Sequence, residues 1–465
     1  MVRMLYHRSM STDPRAAETG PRPPKKPSTV RHTRAIARDR SKRPLAAPPP
    51  AAVEARLTEL IHPLTLGQVA HDHDLGLRER VLSLPVMVAL VLSMIWRQVG
   101  SASTLVRLLR HEGLLWTAPT SVSQQALSER LRVFPADLFR RVLDDLLPQL
   151  QARWAARQRP LPPELAWARE HDTAVLAADG STLDALLRQV GLLRDRDDPA
   201  TPLAGRMTAL LDLCSRLPHR LWYEPDAAAH DQRAWPGILA ALPAGALLVF
   251  DLGDTTFGIF AQLTLAHVTF ITRAKSNLAF RVERVLRQSG RVQDALVWIG
   301  RGDERQQVRL VSLLYNGTWQ RYLTNELDPT RLPPAYAVAL YWQRWRSEDG
   351  YNAVKRLLGL AYFWVGSANG VQLQLWATWL LYAVLVDLTD AVAEELAQPF
   401  AALSLEMVYR SLYFFTAAYQ RDDATHVVRY LAVEAVNLGI VKRKRKRDPT
   451  PSRFDQLRLT FASAA

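Results

Sequence analysis

Apolar positions along this chain change rhythm twice, dividing it into a helical, a mixed and a second helical region. From Ala52 to about Gln151 they recur three and four residues apart, the spacing of helices with one buried face. Ala102–His111 reads as one such helix, followed by Gly113 and Pro119. Ser121-Val-Ser-Gln124 has the form of a capping box, so a second helix is expected over Val122–Val133. That helix would expose Gln124, Gln125, Arg130 and Arg132, side chains suited to reading a DNA groove. The connection is longer than in a strict helix-turn-helix, and a plain helical bundle accounts for the same pattern.

After Pro160-Leu-Pro-Pro163, short apolar runs replace the helical rhythm. Thr173–Ser181 predicts a short buried strand ending at Asp179. A strand pair is expected over Leu203–Leu213 and Leu217–Glu224, turning at Ser215-Arg216, then a helix over Asp231–Leu242. Ala246–Asp251 predicts a second buried strand ending in an acid, Phe257–Leu265 a helix and His267–Arg273 another strand. Strands, a helix and returning strands around carboxylates give the order of an RNase H-like α/β core. Three further strands are expected at Ala295–Ile299, Gln307–Leu314 and Trp319–Thr324, the last after an Asn316-Gly317 turn. Beyond Leu360 the chain is helical again to about Ile440, with a loop at Gly366–Gly370.

Composition refines this outline. The formal charge is +14 with a pI near 10.1, which points to a polyanionic partner. Residues 1–52 carry +9 and the run Lys442–Arg447 carries +6, so the remainder is within one charge of neutrality. Any DNA contact on the globular body must therefore be local. The first 52 residues lack hydrophobic periodicity and read as a disordered basic tail. The single cysteine, Cys214, forbids an intrachain disulfide and, in its apolar run, reads as a buried small hydrophobe. His71-Asp-His-Asp74 lacks the spaced second half of a structural zinc site and reads as a polar turn. The apolar stretches Val81–Trp96 and Leu375–Val386 read as core helices, and no signal peptide opens the chain. The expectation is a soluble protein of the cytoplasm, without membrane contact.

The densest chemistry lies in Tyr341-Trp-Gln-Arg-Trp-Arg-Ser-Glu-Asp-Gly-Tyr-Asn-Ala-Val-Lys355. On one straight α-helix Tyr341, Arg344, Glu348 and Lys355 would fall within about 60° of each other. A phenol, a guanidinium, a carboxylate and an ammonium in line suit neither a core stripe nor a plain solvated face. A carboxylate flanked by cations suits a metal bound beside a phosphate backbone. Gly350 inside this helix marks either a close approach of DNA or a kink. The stretch resembles the Tyr-x2-Arg-x3-Glu-x6-Lys signature of DDE transposases of bacterial insertion sequences, in the insertion sequence four family.

The resemblance implies a triad of Asp179, Asp251 and Glu348. Asp179-Gly-Ser is similar to the family's first acid motif and is preferred to Asp184. Asp251 ends its strand and is preferred to Asp254, although the following Leu-Gly-Asp departs from the family's usual Arg-Gly-Tyr. Carboxylates from separate segments would hold two Mg²⁺ or Mn²⁺ ions for in-line phosphoryl transfer. Tyr341, Arg344 and Lys355 would contact phosphates near the scissile bond.

The implied organisation is a basic tail (1–52), a helical DNA-binding domain (53–165) and the first part of the core (166–277). A β-rich insertion (278–335), the signature helix (336–360), a C-terminal helical region (361–440) and a basic tail (441–465) follow. In the insertion Trp298 and Trp319 are candidates for stacking on a displaced base or for core packing. The implied partners are double-stranded DNA, as element ends and target, and a second copy in a homodimer. The rival readings are an RNase H-like nuclease that hydrolyses without joining and a DNA-binding derivative without catalysis.

Overall fold

A computed structural model describes Thr58 and residues 81–97, 99, 102–184, 203–226, 229–251, 256–275, 277–360, 368–442 and 453–462. The N-terminal tail, the His71–Asp74 turn, Asp254 and Arg443–Arg447 lie outside these residues, as does the side chain of Asp184.

The N-terminal region is helical. α1 (Leu84–Trp96) is buried along almost its whole length, whereas α2 (Ala102–His111) buries only Leu105 and Leu109. α3 begins two residues later than the capping box predicts, at Gln124–Val133. Its N-cap is Ser123, whose hydroxyl accepts from the Ala126 amide, so Ser121 is not the cap. The two-residue shift leaves Ala126 where the box needs an acid or amide, and a single cap bond remains. α4 (Asp137–Ala156) and α5 (Pro163–His171) lead into the sheet.

One nine-stranded sheet forms the centre, in the order β3-β2-β1-β4-β5-β9-β8-β7-β6. β1 (Val175–Asp184), β2 (Leu203–Asp212) and β3 (Pro218–Glu224) are antiparallel neighbours. A 3₁₀ turn at Asp231–Ala234 and α6 (Trp235–Ala241) lead to β4 (Leu247–Phe250), and α7 (Phe257–Leu265) to β5 (Thr269–Arg273). β1, β4 and β5 run parallel. The order 3-2-1-4-5, with only strand 2 reversed, is an RNase H-like core. β1 runs five residues past the end predicted from sequence, so Asp179 is mid-strand on its β2 side. On its β4 side the parallel ladder stops at Ala178 against Phe250, which leaves Asp179 and Asp251 next to each other.

β6 (Phe280–Gln288), β7 (Val292–Ile299), β8 (Gln306–Tyr315) and β9 (Thr318–Thr324) fill the segment before the signature helix. They do not stand apart: β9 pairs antiparallel with β5 and carries the same sheet outward. β6 has no counterpart in the sequence reading. Its residues are mostly exposed, and four of the nine are charged, at the sheet edge, so the alternation that reveals a half-buried strand is absent.

Alternate residues of the central strands point to two separate cores. Val175, Ala177, Leu247 and Val249 pack on one face with α5 and α8 (Pro334–Trp342). Leu176, Ala178, Leu248 and Phe250 pack on the other with α6 and α7. A third core joins the N-terminal helices to α10 (Ala368–Glu395), whose first residues occupy part of the predicted Gly366–Gly370 loop. α10 is apolar and long enough to cross a membrane, but 94% of its most apolar window is buried by protein. α11 (Leu405–Gln420), α12 (Val427–Val433) and α13 (Arg453–Ala462) are the last elements among the described residues.

Candidate active site

The signature segment is not one straight helix. α8 ends at Trp342, Gln343 and Arg344 form a tightened turn, and α9 spans Trp345–Asn352. A π turn at Ala353–Leu357 follows, closed by the Leu358 amide donating to the Ala353 carbonyl. At the junction the Gln343 amide is shared between the Ala339 and Leu340 carbonyls, and Arg344 donates to Tyr341 three residues back. Overwinding before α9 and underwinding after it replace the uniform 100° step assumed from sequence.

The junction tucks the Tyr341 ring beneath the open face, with its hydroxyl towards Arg344 and Asp251. The ring is buried against Tyr322 of β9, with centroids 5.0 Å apart. Burial, and then the Asp251 carboxylate, push its pKa to about 12, so the phenol stays protonated and able to donate.

Arg344, Ser347, Glu348, Tyr351 and Lys355 face the end of β1 and β4. The Arg344 guanidinium lies 3.4 Å from Asp179, 3.8 Å from Asp251 and 3.5 Å from Glu348. Three carboxylates distant in sequence thus converge on one buried cation. Ser347 Oγ sits 2.8 Å from the Asp179 carboxylate and 2.7 Å from the Arg344 carbonyl, and its single proton serves one at a time. The Tyr351 hydroxyl donates to the Asp179 carbonyl and accepts from the Ala209 amide at 3.1 Å, bridging β1 and β2 at the acid. Asp179 also accepts from the Gly180 amide at 3.0 Å. Lys355 Nζ donates to Ser181 Oγ at 2.6 Å.

The electrostatics favour added positive charge. Burial raises the pKa of Asp179, against the lowering effects of Ser347, Arg344 and Gly180, and the nearby Asp251 raises it further. Glu348 is also raised, by desolvation first and by Asp179 and Asp349 next, with Arg344 opposing. As they stand, no three His, Cys, Asp or Glu side chains among the described residues are disposed to grip one ion. The guanidinium takes the central place. The donor set nevertheless fits a hard divalent cation: three carboxylates, none with a soft or nitrogen competitor, two of them short of compensating charge.

Sequence reasoning therefore found Asp179, Asp251, Glu348, Arg344 and Lys355, which the fold gathers, and Tyr341, which it tucks beneath them. It passed over Ser347, Tyr351 and Ser181. The first two stand three and seven residues after Arg344, the same-face spacing of a helix, and that signal was available. Gly350 receives a different explanation. A Cβ there would come within 3.2 Å of the Tyr382 hydroxyl of α10, so the close approach is by protein.

The other predicted contacts lie apart, on the N-terminal helices. Gln124 and Gln125 are exposed on α3, Gln125 donating to Glu129 at 3.0 Å. Arg130 is half-buried, its guanidinium over the Phe134 ring at 5.6 Å, and is not the free surface cation expected. The four-residue step to Phe134 places them on the same side. Trp298 on β7 and Trp319 on β9 are half-buried, Trp298 beneath the Arg305 guanidinium at 4.6 Å.

Residues 203–384 match the family model of a transposase DDE domain. The matched span contains Asp251 and the whole signature segment and begins after Asp179. The chain is 31% identical over 172 residues to "Putative transposase y4zB" of Sinorhizobium fredii. That alignment covers 34% of this chain and 47% of the relative, so the chain spans about half the relative's length. A cryo-EM structure of the piggyBac transposase synaptic complex with hairpin DNA aligns at a TM-score of 0.38 and 11% identity. It covers 79% of this chain and 78% of that one.

Proposed function

We propose that this chain is a DDE transposase of the insertion sequence four type, which cleaves the inverted-repeat ends of its element and joins the freed 3′-OH to target DNA. The observation that carries the reading is the meeting of Asp179, Asp251 and Glu348 around Arg344, each within 4 Å of its guanidinium. The Tyr341–Lys355 signature and the transposase match support it.

Asp179, Asp251 and Glu348 would hold the divalent ions, Mg²⁺ or Mn²⁺. Such ions, if bound there, would supply activation of an attacking oxygen and charge stabilisation for a leaving one. Arg344 would turn from the acids towards a phosphate oxygen, since its fork matches both kinds of oxyanion. Lys355, held over Ser181, would supply a second phosphate contact. Tyr341, protonated at neutral pH, would donate a hydrogen bond to a phosphate oxygen without adding charge. Ser347 and Tyr351 position Asp179. Gln124, Gln125 and Arg130 would read duplex ends. A homodimer would pair two ends at the nucleoid.

The test is incubation with supercoiled donor DNA bearing the element's flanking repeats and Mg²⁺. Strand-joined products that vanish in Glu348→Ala are expected. Cutting without joining would assign the chain to nucleases, and a gel shift without cutting would make it a binding protein.

A further inference from the structure

The back of α9 carries a second assembly of charged groups. Residues 346, 349, 350, 353 and 356 stand opposite the acid-bearing side and line a cleft of about 460 Å³. α10, α11 and the β2–β3 turn close it. Its walls hold Arg216, Arg346, Arg356, Arg410 and Lys442 against two acids, Asp349 and Glu406, a surplus of three positive charges.

Most of that surplus is uncompensated. Arg410 is neutralised by Glu406 at 2.6 Å. Among the described residues, Arg216, Arg346 and Lys442 form no ion pair. Arg346 donates to the Leu213 carbonyl at 2.9 Å and to the Gln343 side chain, and Lys442 to the Ala401 carbonyl at 3.1 Å. Arg216 lies over the Phe400 ring at 4.4 Å, and its buried Nε has no hydrogen-bond partner. The turn that presents it is strained, with φ of 65° at Arg216, and is tied down by the Tyr382 hydroxyl donating to the Arg216 carbonyl at 3.1 Å. Burial lowers the pKa of Arg216, and burial followed by Arg216 lowers that of Lys442. With Glu406 taken up by Arg410, Asp349 is the one acid left facing Arg216, Arg346 and Lys442, and cations in such excess in a partly dry cleft favour an anion with several acceptor oxygens.

We propose that this cleft is a binding site for a phosphate-type oxyanion, held by Arg216, Arg346 and Lys442 on the side of the signature helix opposite the three acids. The oxyanion is either a backbone phosphate of duplex DNA or free phosphate. The inference is separate from the strand-cleavage reading, because its probe is inorganic phosphate and its readout is heat.

Calorimetric titration of the full chain with inorganic phosphate, at constant ionic strength against chloride, tests it. Calorimetry is preferred to thermal shift because phosphate also stabilises proteins by exclusion from their surface. Saturable binding is expected, weakened at least about tenfold in Arg216→Met and in Lys442→Met, as for loss of one charge-assisted bond. Lys442 is exposed at the rim, so its variant keeps the test decisive if Arg216→Met fails to fold. Absence of saturable binding, or Lys442→Met binding as tightly as wild type, overturns the proposal. A short duplex then separates the sources. Displacement of phosphate by the duplex, with a smaller salt slope of DNA binding in Lys442→Met, assigns the site to the DNA backbone. Undiminished phosphate binding to the DNA complex assigns it to the free anion.

Discussion

Ser347 illustrates how much of the site depends on a group that carries no charge. Its hydroxyl is buried between the Asp179 carboxylate and the Arg344 carbonyl, so it sets the rotamer of the acid at β1. Partners of this kind are worth about 10–100-fold in metal affinity or activity. Ser347→Ala is expected to raise the Mg²⁺ concentration for half-maximal cleavage about tenfold while the rate at saturating Mg²⁺ changes less. Measuring cleavage across a Mg²⁺ series separates this from a general loss of structure, which would lower the rate at every concentration. Asp172, just before β1, gives a second residue-scale test. Burial lifts its pKa to about 6, against the opposing charges of His171 and Arg331. A raised acid favours the folded state fully below the unfolded pKa, and that contribution is lost as pH rises through about 6. Asp172→Asn, which resembles the protonated form, should therefore stabilise the protein by about 1 kcal/mol at pH 7.5, allowing for solvent screening. The gain should vanish below about pH 4. Urea denaturation at the two pH values checks the sign.

At the scale of elements, α9 is a helix with two occupied sides. Towards β1 it presents Arg344, Ser347, Glu348 and Tyr351; towards α10 it presents Gly350 and Ala353. Glycine inside a helix ordinarily costs about 1 kcal/mol relative to alanine. Here the methyl group of Gly350→Ala would press on the Tyr382 hydroxyl, whose hydrogen bond to the Arg216 carbonyl resists its withdrawal. The substitution is expected to destabilise by about 1–2 kcal/mol in spite of the better propensity. Adding Tyr382→Phe should recover most of the loss. A double-mutant cycle by chemical denaturation reads the coupling, and simple additivity would show that the two groups do not meet. The spacing was legible from sequence because the i, i+4 relation of Arg344 and Glu348 survives at the N-terminal cap of α9. The tightened turn at Gln343 and the π turn at Ala353 were not, since which carbonyl each amide selects is decided by packing on either side.

Across the whole molecule, a chain of buried ion pairs fastens the N-terminal helices to the C-terminal ones. Arg157, just past α4, reaches Asp387 at 2.7 Å and Asp390 at 3.1 Å on α10. Arg159 reaches Asp390 at 2.8 Å and stacks over Trp154 at 4.3 Å. Both aspartates are almost fully buried. Removing Arg157 leaves Asp387 to Arg153 at 3.5 Å and Asp390 to Arg159, so Arg157→Met should cost about 3 kcal/mol, the low end for a broken buried pair. The companion triple change Arg157→Met, Asp387→Leu, Asp390→Leu should be nearer wild type, although Arg159 then loses its carboxylate. Thermal unfolding of the two variants compares them. A single variant as stable as wild type would show that these pairs do not carry the join.

The linear text determined what depends on neighbours in sequence: helices over Ala102–His111 and Phe257–Leu265, the buried β4, the turn at Arg216 and the signature residues themselves. Periodicity and turn chemistry act over a few residues, so they can be read there. Only the folded chain could decide that β1 runs past Asp179, that charged β6 extends the sheet, and that Arg344 stands among three carboxylates. Those outcomes depend on strand register, on edge pairing and on burial by distant segments. None of these is encoded at a fixed spacing along the chain.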